Sequence, residues 1–197
     1  MVHNFCYLGD IIDINGGVET AITRRIQKAW CKFRELRPIL TRKGLAPKIK
    51  GRVYSACVRS TMVYGSETWP MKEEQEQKLE RLEMQLVRWI CGAKLGDGIK
   101  SEELRKKLGI EAVRVVLKKG RLRWWGHVER REDMHWLKKC MKFEVEGKKP
   151  VGRPRKAWRE VIRKDMKDWG LKEEMALNRR EWRKGLRRQN GHEPLGV

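Results

Sequence analysis

Apolar side chains recur at helical spacing along most of the chain. In the first such segment they share one face at positions i, i+4, i+7, i+8, i+11 and i+14, occupied by Ile22, Ile26, Ala29, Trp30, Phe33 and Leu36. Cations between them fall off that face, and Pro38 predicts the end of the helix. The spacing indicates an amphipathic helix whose aromatic side chains pack in a core. The alternative is an exposed platform on which nucleic-acid bases stack.

The same spacing predicts further helices. One opens at Pro47 and ends before Gly65. Its apolar face is predicted at Ile49, Val53, Ala56, Cys57, Ser60 and Tyr64. The next helix covers about 72–91, with Leu79, Leu82, Leu86, Trp89 and Ile90 predicted inward. Shorter helices are predicted over about 101–108, 110–130, 155–169 and 172–188. Three tryptophans are expected to anchor the core: Trp30, Trp89 and Trp182.

The N-terminal segment has a different pattern. Phe5 to Ile12 is rich in β-forming residues, and the turn signal Asn15-Gly16-Gly17 follows it. Little else resembles a strand, so we expect it to add little to stability in this chain. The predicted fold class is mainly α, a multi-helix bundle with one short orphan β-strand at the N-terminus. The predicted segments are a strand at 1–14, a helical region at 15–98, a basic Trp-rich helical region at 99–188, and a disordered tail at 189–197.

Positive charge is the main compositional feature. The chain has 197 residues and a formal net charge of +21. Residues 1–99 carry 17 cations and 11 acids, whereas residues 100–197 carry 30 and 15. A basic excess of this size favours nucleic acid as partner, RNA or DNA, ahead of an anionic membrane surface. The alternative is that the charges lie on solvated helix faces.

Motifs for catalysis, secretion and membrane insertion are absent from the sequence. It has no phosphate-binding loop, no nucleophile elbow and no His-Glu-x-x-His. Its five cysteines include no Cys-x-x-Cys pair, so we expect no metal site and no cofactor. No apolar run has the length of a membrane span, and no signal peptide opens the chain. We therefore expect an intracellular protein that is not an enzyme as it stands. Its basic runs, which also serve as nuclear address tags, favour the nucleus over the cytoplasm.

Two basic segments are the candidate nucleic-acid-binding sites. Their cations are Arg121, Arg123, Lys148, Lys149, Arg153, Arg155 and Lys156. Gly and Pro residues keep the second segment from regular structure, and an extended, arginine-bearing segment fits a narrow minor groove. A solvated loop between helices is the alternative.

Several short motifs, in this order, resemble one protein family. They are Tyr7-Leu8-Gly9, Arg25-Ile26 with Ala29, Tyr64-Gly65-Ser66-Glu67-Thr68-Trp69, Arg123-Trp124-Trp125-Gly126-His127-Val128, Gly152-Arg153-Pro154 with Trp158, Asn178-Arg179 and Trp182-Arg183. Together they resemble the C-terminal part of reverse transcriptases from LINE-type, non-LTR retrotransposons. The resemblance covers the chain from Phe5 to Arg188.

The resemblance implies roles for parts of the chain. Tyr7, Leu8 and Gly9 would match the primer-grip strand. Residues 22–64 would match the thumb helices that hold template and primer. The region beyond Ile99 would match the basic C-terminal region that helps to bind element RNA or target DNA.

Departures from the family limit the implied activity. The catalytic palm of the family carries an aromatic-x-Asp-Asp motif, and this chain has no Asp-Asp pair. The endonuclease and the Cys-Cys-His-Cys knuckle of some members are also missing. The sequence is therefore interpreted as a nucleic-acid-binding remnant that is inactive alone. The alternative is a helical interaction or scaffold domain with incidental charge, and we expect salt-dependent nucleic-acid binding to separate the two.

Overall fold

The computed structural model describes residues 4–7, 9–13, 17–143 and 156–188. The strands are β1 (Asn4–Tyr7) and β2 (Asp10–Asp13), and the α-helices are α1 (Glu19–Leu40), α2 (Pro47–Val53), α3 (Ser60–Val63), α4 (Glu73–Cys91), α5 (Ser101–Leu108), α6 (Val113–Glu129), α7 (Trp136–Lys142), α8 (Trp158–Asp168) and α9 (Arg179–Arg188). The predicted mainly α class is confirmed. Among these elements, no helix combines the length and apolar content needed to cross a membrane.

The chain divides into two compact units, Met1–Leu117 and Lys118–Val197. The predicted boundary lay near Gly98, but α5 packs against both α2 and α4 and so belongs to unit 1. Close approach requires glycine at Gly51, where an added Cβ would lie 1.9 Å from the backbone oxygen of Leu108. The predicted tail at 189–197 lies outside the described residues.

The N-terminal segment forms two strands rather than one. β1 and β2 pair antiparallel, with Phe5 opposite Ile12 and Tyr7 opposite Asp10. The turn between them includes Gly9, whose φ of 80° is a left-handed conformation that glycine adopts without strain. The predicted orphan strand therefore finds its partner within the same segment, because the chain reverses at Gly9.

Side chains tie this hairpin to the rest of unit 1. The buried Arg25 of α1 donates from Nη2 to the Gly9 carbonyl oxygen at 2.6 Å. The same guanidinium lies over the Tyr64 ring, 4.3 Å from its centroid. Trp69 Nε1 donates to Asp10 Oδ2 at 3.0 Å. Two motifs separated by more than fifty residues are thereby brought together, and the hairpin has partners beyond itself, contrary to the expectation from the sequence.

The core of unit 1 is built from α1, α4 and a continuous helix from Pro47 to Val63. A π-helical turn at Tyr54–Arg59 joins α2 to α3 in that helix. Its buried apolar side chains are Tyr54, Val58 and Met62, spaced i, i+4 and i+8. The predicted face was wrong. Ile49, Ala56, Ser60 and Tyr64 are exposed, and Val53 and Cys57 are only partly buried. The sequence pattern was ambiguous here because this helix carries apolar residues on all of its faces.

A buried carboxylate connects four helical segments of unit 1. Glu83 of α4 is fully buried and accepts from Arg59 Nη2 at 2.7 Å. Its other oxygen accepts from Arg105 Nε at 3.4 Å and from the Val113 backbone N–H at 2.9 Å. A buried charge needs such compensation, because the desolvation it suffers exceeds what a single weak contact returns.

Unit 2 has a smaller core around tryptophan. Its buried members are Leu122, Trp125, Ile162, Met166, Ala176 and Trp182. The prediction that Trp182 is a buried anchor is confirmed, since 1% of it is exposed. The prediction was wrong for Trp89, which is 49% exposed, and Trp30 is only partly buried. Trp89 lies at the edge of the α4 stripe rather than at its centre.

Candidate nucleic-acid interface

The structure describes three of the seven predicted nucleic-acid-binding residues. Lys148, Lys149, Arg153 and Arg155 lie outside the described residues, as does the primer-grip candidate Leu8. Arg123 is exposed on α6, and Lys156 is partly buried before α8. Tyr7, also a primer-grip candidate, is 56% exposed on β1. Arg123 and Tyr7 are thus accessible to a ligand, and their proposed roles stay predictions.

Arg121 requires a correction. Its side chain is 0% exposed, and its Nε donates to Asp165 Oδ2 at 2.6 Å. Asp165 is itself buried and also lies 3.9 Å from Lys118 Nζ. The α6 helix turns Arg121 toward the core beside Leu122 and Trp125, so its guanidinium is not presented to a phosphate. It neutralises a buried carboxylate of α8 instead.

The motif around Trp124 and Trp125 gives each residue a separate task. Trp125 is buried and packs against Trp158, with ring centroids 5.8 Å apart. Trp124 stacks on His127, with centroids 5.3 Å apart and planes inclined by 19°. Neighbouring residues on a helix point about 100° apart, which sends one indole inward and leaves the other beside the histidine.

Gly126 allows Trp182 to reach α6. An added Cβ at Gly126 would lie 2.3 Å from Trp182 Nε1 and 3.0 Å from Arg130 Nη1. Trp182 Nε1 donates to the Leu122 carbonyl oxygen at 2.9 Å, a buried bond that satisfies the indole. The glycine therefore fixes the packing of α9 on α6 and leaves room for the Arg130 side chain.

Cations converge where the end of α6 meets the start of α9. His127, Arg130, Arg131 and Arg179 line a cavity of about 330 Å³, which we call the arginine pocket. The first three lie at i, i+3 and i+4 on α6, one face of its last turn and the residues that follow. Arg131 Nη2 lies 3.1 Å from His127 Nε2. Arg130 Nη1 donates to the Ala176 carbonyl oxygen at 2.6 Å, which holds that guanidinium in place.

Local interactions also position Arg179. Asn178 Oδ1 accepts from the backbone N–H of Arg180 at 3.0 Å and of Glu181 at 3.3 Å, and so caps the first turn of α9. Arg179 follows this cap directly. Its place in the pocket is therefore set by the helix start and by the anchor Trp182 three residues later.

The like charges of the pocket repel one another. Burial, and then the charges of Arg179 and Arg183, lower the pKa of Arg130. Burial also lowers the pKa of His127, and the charges of Arg131, Arg130, His135 and Arg179 add to that shift. These shifts have the sign expected where cations face each other without a compensating acid.

Such a pocket is chemically suited to an anion. Among the described residues, no carboxylate lines it, and none forms a salt bridge with Arg130, Arg131, Arg179 or Arg183. Guanidinium groups bind phosphate oxygens in pairs of parallel hydrogen bonds. The adjoining groove is different, because Glu129, Glu132 and Asp133 line it beside the cations. The arrangement fits a phosphate group rather than a metal ion, and no cluster of metal-ligating side chains occurs within the described ranges.

The sequence did not single out this pocket. Arg179 and Arg183 belong to motifs of the sequence, whereas Arg130 and Arg131 belong to none. The i, i+3, i+4 spacing of His127, Arg130 and Arg131 was a usable signal for a cationic helix face. The contribution of α9, about fifty residues later, depends on tertiary packing through Gly126.

Fold and pocket together define a basic, mainly helical protein with a candidate polyanion site. The chain is similar to a transposon-derived protein of Caenorhabditis elegans, with 26% identity over 204 residues that cover 95% of this chain and 71% of the relative. This similarity supports an origin in a transposable element. No protein-family model matches the chain, and no solved structure matches it.

Proposed function

We propose that the protein is a nucleic-acid-binding remnant of a LINE-type retrotransposon reverse transcriptase, without the catalytic palm and the endonuclease. The observation that carries the binding proposal is the arginine pocket of unit 2. The ordered motifs and the transposon-derived relative support the proposed ancestry. The partner would be RNA or DNA, and we propose that binding takes place in the nucleus.

Phosphate contacts explain how the pocket would bind. A nucleic-acid phosphate entering it would be met by the guanidinium groups of Arg130, Arg131 and Arg179, with Arg183 nearby. The anion would relieve the repulsion among these groups and release its condensed counterions. Exposed Arg123 on α6 would extend the contact along the backbone. Such contacts fix the position of a nucleic acid without reading its sequence.

Catalysis is not part of the proposal. Nucleotide transfer on two metal ions needs carboxylates that converge on the cations. The two fully or almost fully buried carboxylates with arginine partners, Glu83 and Asp165, are neutralised by ion pairs. We therefore expect that purified protein with primed template, magnesium and nucleotides extends no primer. A complete reverse transcriptase is the positive control, and extension above a buffer blank would contradict the proposal.

The binding proposal is tested by titrating the whole protein with a generic duplex at several salt concentrations. The logarithm of the association constant is expected to fall linearly with the logarithm of salt from about 50 to about 200 mM, with about 0.9 of slope for each phosphate contact on duplex DNA. Weak binding with no dependence on salt would argue against phosphate contacts.

The scaffold interpretation is favoured by one separate feature. Large apolar side chains are exposed on and around α7: Met134 is 74%, Trp136 64% and Phe143 73% exposed. Exposed apolar residues of this size often mark protein contacts. A protein partner that binds the Trp136→Ala variant much more weakly, with nucleic-acid binding absent altogether, would favour the scaffold function over the proposed one.

A further inference from the structure

Helices α1 and α4 of unit 1 form a partly exposed aromatic surface. Trp30 of α1, Phe33 of α1 and Trp89 of α4 meet edge to face, with ring centroids 5.9 to 6.1 Å apart. Phe33 is buried beneath, whereas 49% of Trp89 is exposed. Edge-to-face contacts with Trp30 and the buried Phe33 hold the Trp89 indole in place, while 49% of its surface stays exposed.

A groove opens beside these rings. It has a volume of about 540 Å³, and we call it the aromatic groove; its lining residues are Gln27, Trp30, Cys31, Arg34, Arg37 and Trp89. Five of the six lie on one face of α1, at i, i+3, i+4, i+7 and i+10. A volume of this size accommodates a planar heterocycle together with its sugar.

The charge of the groove complements an anion. Two arginines line it, and no carboxylate does so in the part of the chain that the structure describes. The Arg37 guanidinium lies over the Trp89 ring, 5.5 Å from its centroid. The nearby acid of α1, Glu35, is engaged by Lys32 at 2.6 Å. The aromatic groove therefore combines an exposed aromatic surface with guanidinium groups, whose donors match the geometry of a phosphate.

An unpaired nucleotide is the ligand that uses both features. A base stacks on an indole face, whichever base it is, while adjacent phosphates bind arginine. A purely apolar protein segment would leave Arg34 and Arg37 desolvated beside it, which is costly for charged groups. A duplex would use the arginines but could not offer a base face to Trp89.

We propose that the aromatic groove of unit 1 binds a single-stranded nucleic acid. A base would stack on the part of Trp89 that stays exposed beside the Arg37 guanidinium, and neighbouring phosphates would bind Arg34 and Arg37. This inference rests on the proposed nucleic-acid binding but concerns a different surface from the arginine pocket. It assigns recognition of unpaired bases to unit 1, whereas the pocket binds phosphates of paired and unpaired strands alike.

The test compares Trp89→Leu with wild type on three ligands of about ten nucleotides, a length within the usual site size. The ligands are a single-stranded oligothymidylate, an abasic oligonucleotide with the same number of phosphates, and a duplex. The variant is expected to bind the oligothymidylate about 5- to 150-fold more weakly, the range for losing one base stack. Affinity for the abasic strand and for the duplex is expected to change by less than about twofold, because neither places a base on the indole.

Two further variants keep the test decisive. Trp136→Leu removes another exposed indole, outside the groove, and is expected to leave all three affinities unchanged. Arg34→Gln with Arg37→Gln is expected to weaken binding to the abasic strand and the oligothymidylate together, and it serves as the second readout if Trp89→Leu does not fold.

The outcomes separate this inference from the proposed function. If Trp89→Leu weakens binding to the oligothymidylate and to the abasic strand equally, or changes neither, base stacking at Trp89 is overturned. A change in self-association of Trp89→Leu, measured by sedimentation without any base-dependent effect, would make the groove a contact between copies of the chain and also overturn it. If Trp89→Leu still binds the duplex, the proposed role of the arginine pocket is unaffected. If the wild-type protein binds none of the three ligands, the proposed function is rejected as well.

Discussion

The two units differ in how far their cations are paired with acids. Unit 1 has 22 cations and 14 acids in 117 residues, whereas unit 2 has 25 and 12 in 80 residues. In unit 1, α4 supplies Glu73, Glu80 and Glu83, and these acids pair with arginines of neighbouring segments. In unit 2, Asp165 and Asp168 take up Arg121 and Lys118.

Within the described part of unit 2, no acid forms an ion pair with Arg130, Arg131, Arg179 or Arg183. Arg130, Arg131 and Arg179 face one another around a cavity, and Arg183 adds to their field. The comparison teaches that net charge alone does not locate a polyanion site. Arg121 belongs to the most basic stretch of the sequence, yet it is a core residue, because what matters is whether an acid is packed against each cation.

Breaking the acid network of unit 1 is expected to have the largest effect. Glu83→Gln removes the charge that compensates Arg59 and Arg105, leaving guanidinium groups in the core. The free energy of unfolding should fall by about 3–5 kcal/mol, as for other buried pairs that lose one partner. Chemical denaturation measures this change. Glu102→Gln, at an exposed acid of α5, is the control, and a loss at Glu83 no larger than at Glu102 would refute the role of the network.

Unit 2 depends more on packing. Gly126→Ala would place a Cβ against Trp182 and Arg130. We expect a loss of about 1–3 kcal/mol in the free energy of unfolding, typical of overpacking, together with weaker binding to nucleic acid because Arg130 moves. Gly96→Ala is a matched control, since nothing lies within 4 Å of a Cβ added there. Equal stability of the two alanine variants would show that α9 does not pack on Gly126 as described.

The basic segment before α8 provides a third prediction. Replacing Lys148, Lys149, Arg153, Arg155 and Lys156 by Gln should lower the salt slope of duplex binding by roughly 3–4 units, if most of these residues contact phosphate. Circular dichroism should show an unchanged helical content. An unchanged slope would remove this segment from the interface and leave the arginine pocket as the remaining site of unit 2.

A smaller effect is expected from pH. The pKa of His127 is lowered in the free protein by burial and by the neighbouring arginines and His135. A phosphate in the pocket would favour the charged imidazole, so the complex would hold more protons than the free protein. Affinity for duplex should therefore rise a few-fold as the pH falls from about 8 to about 5.5. His127→Gln should remove most of this dependence, and an identical pH profile for both proteins would exclude the histidine from binding.

Much of the fold could be predicted because it depends on local spacing. The i, i+7, i+11 series of Ile22, Ala29 and Phe33 predicted the buried face of α1 correctly, and all three are buried. The spacing predicted the burial of Trp89 wrongly. At the edge of an apolar stripe, burial depends on which residues of other helices pack against the side chain. The hairpin was missed because its turn at Gly9 carries a weaker sequence signal than Asn15-Gly16-Gly17.

The candidate site was much less predictable. Arg121 pairs with Asp165 from 44 positions away, and Gly126 is constrained by Trp182, which lies on another helix. No period in the sequence reports such pairings. Runs of cations are visible in the sequence and indicated the basic segments. The arginine pocket instead depends on which cations tertiary packing leaves without an ion pair.

The central claim is that the cations of the arginine pocket, rather than the general charge of the chain, bind nucleic acid. The direct test compares two variants with the same loss of charge. Arg131→Gln, Arg179→Gln and Arg183→Gln alter the pocket of unit 2, and the matched control set is Arg52→Gln, Lys106→Gln and Lys107→Gln, at exposed cations of unit 1.

The measurement is the slope of log affinity against log salt for a generic duplex. The pocket variant is predicted to lose about 2–3 units of slope relative to wild type, while the control variant loses less than about one. Equal slopes in the two variants would contradict the account, because binding would then follow net charge and not the pocket.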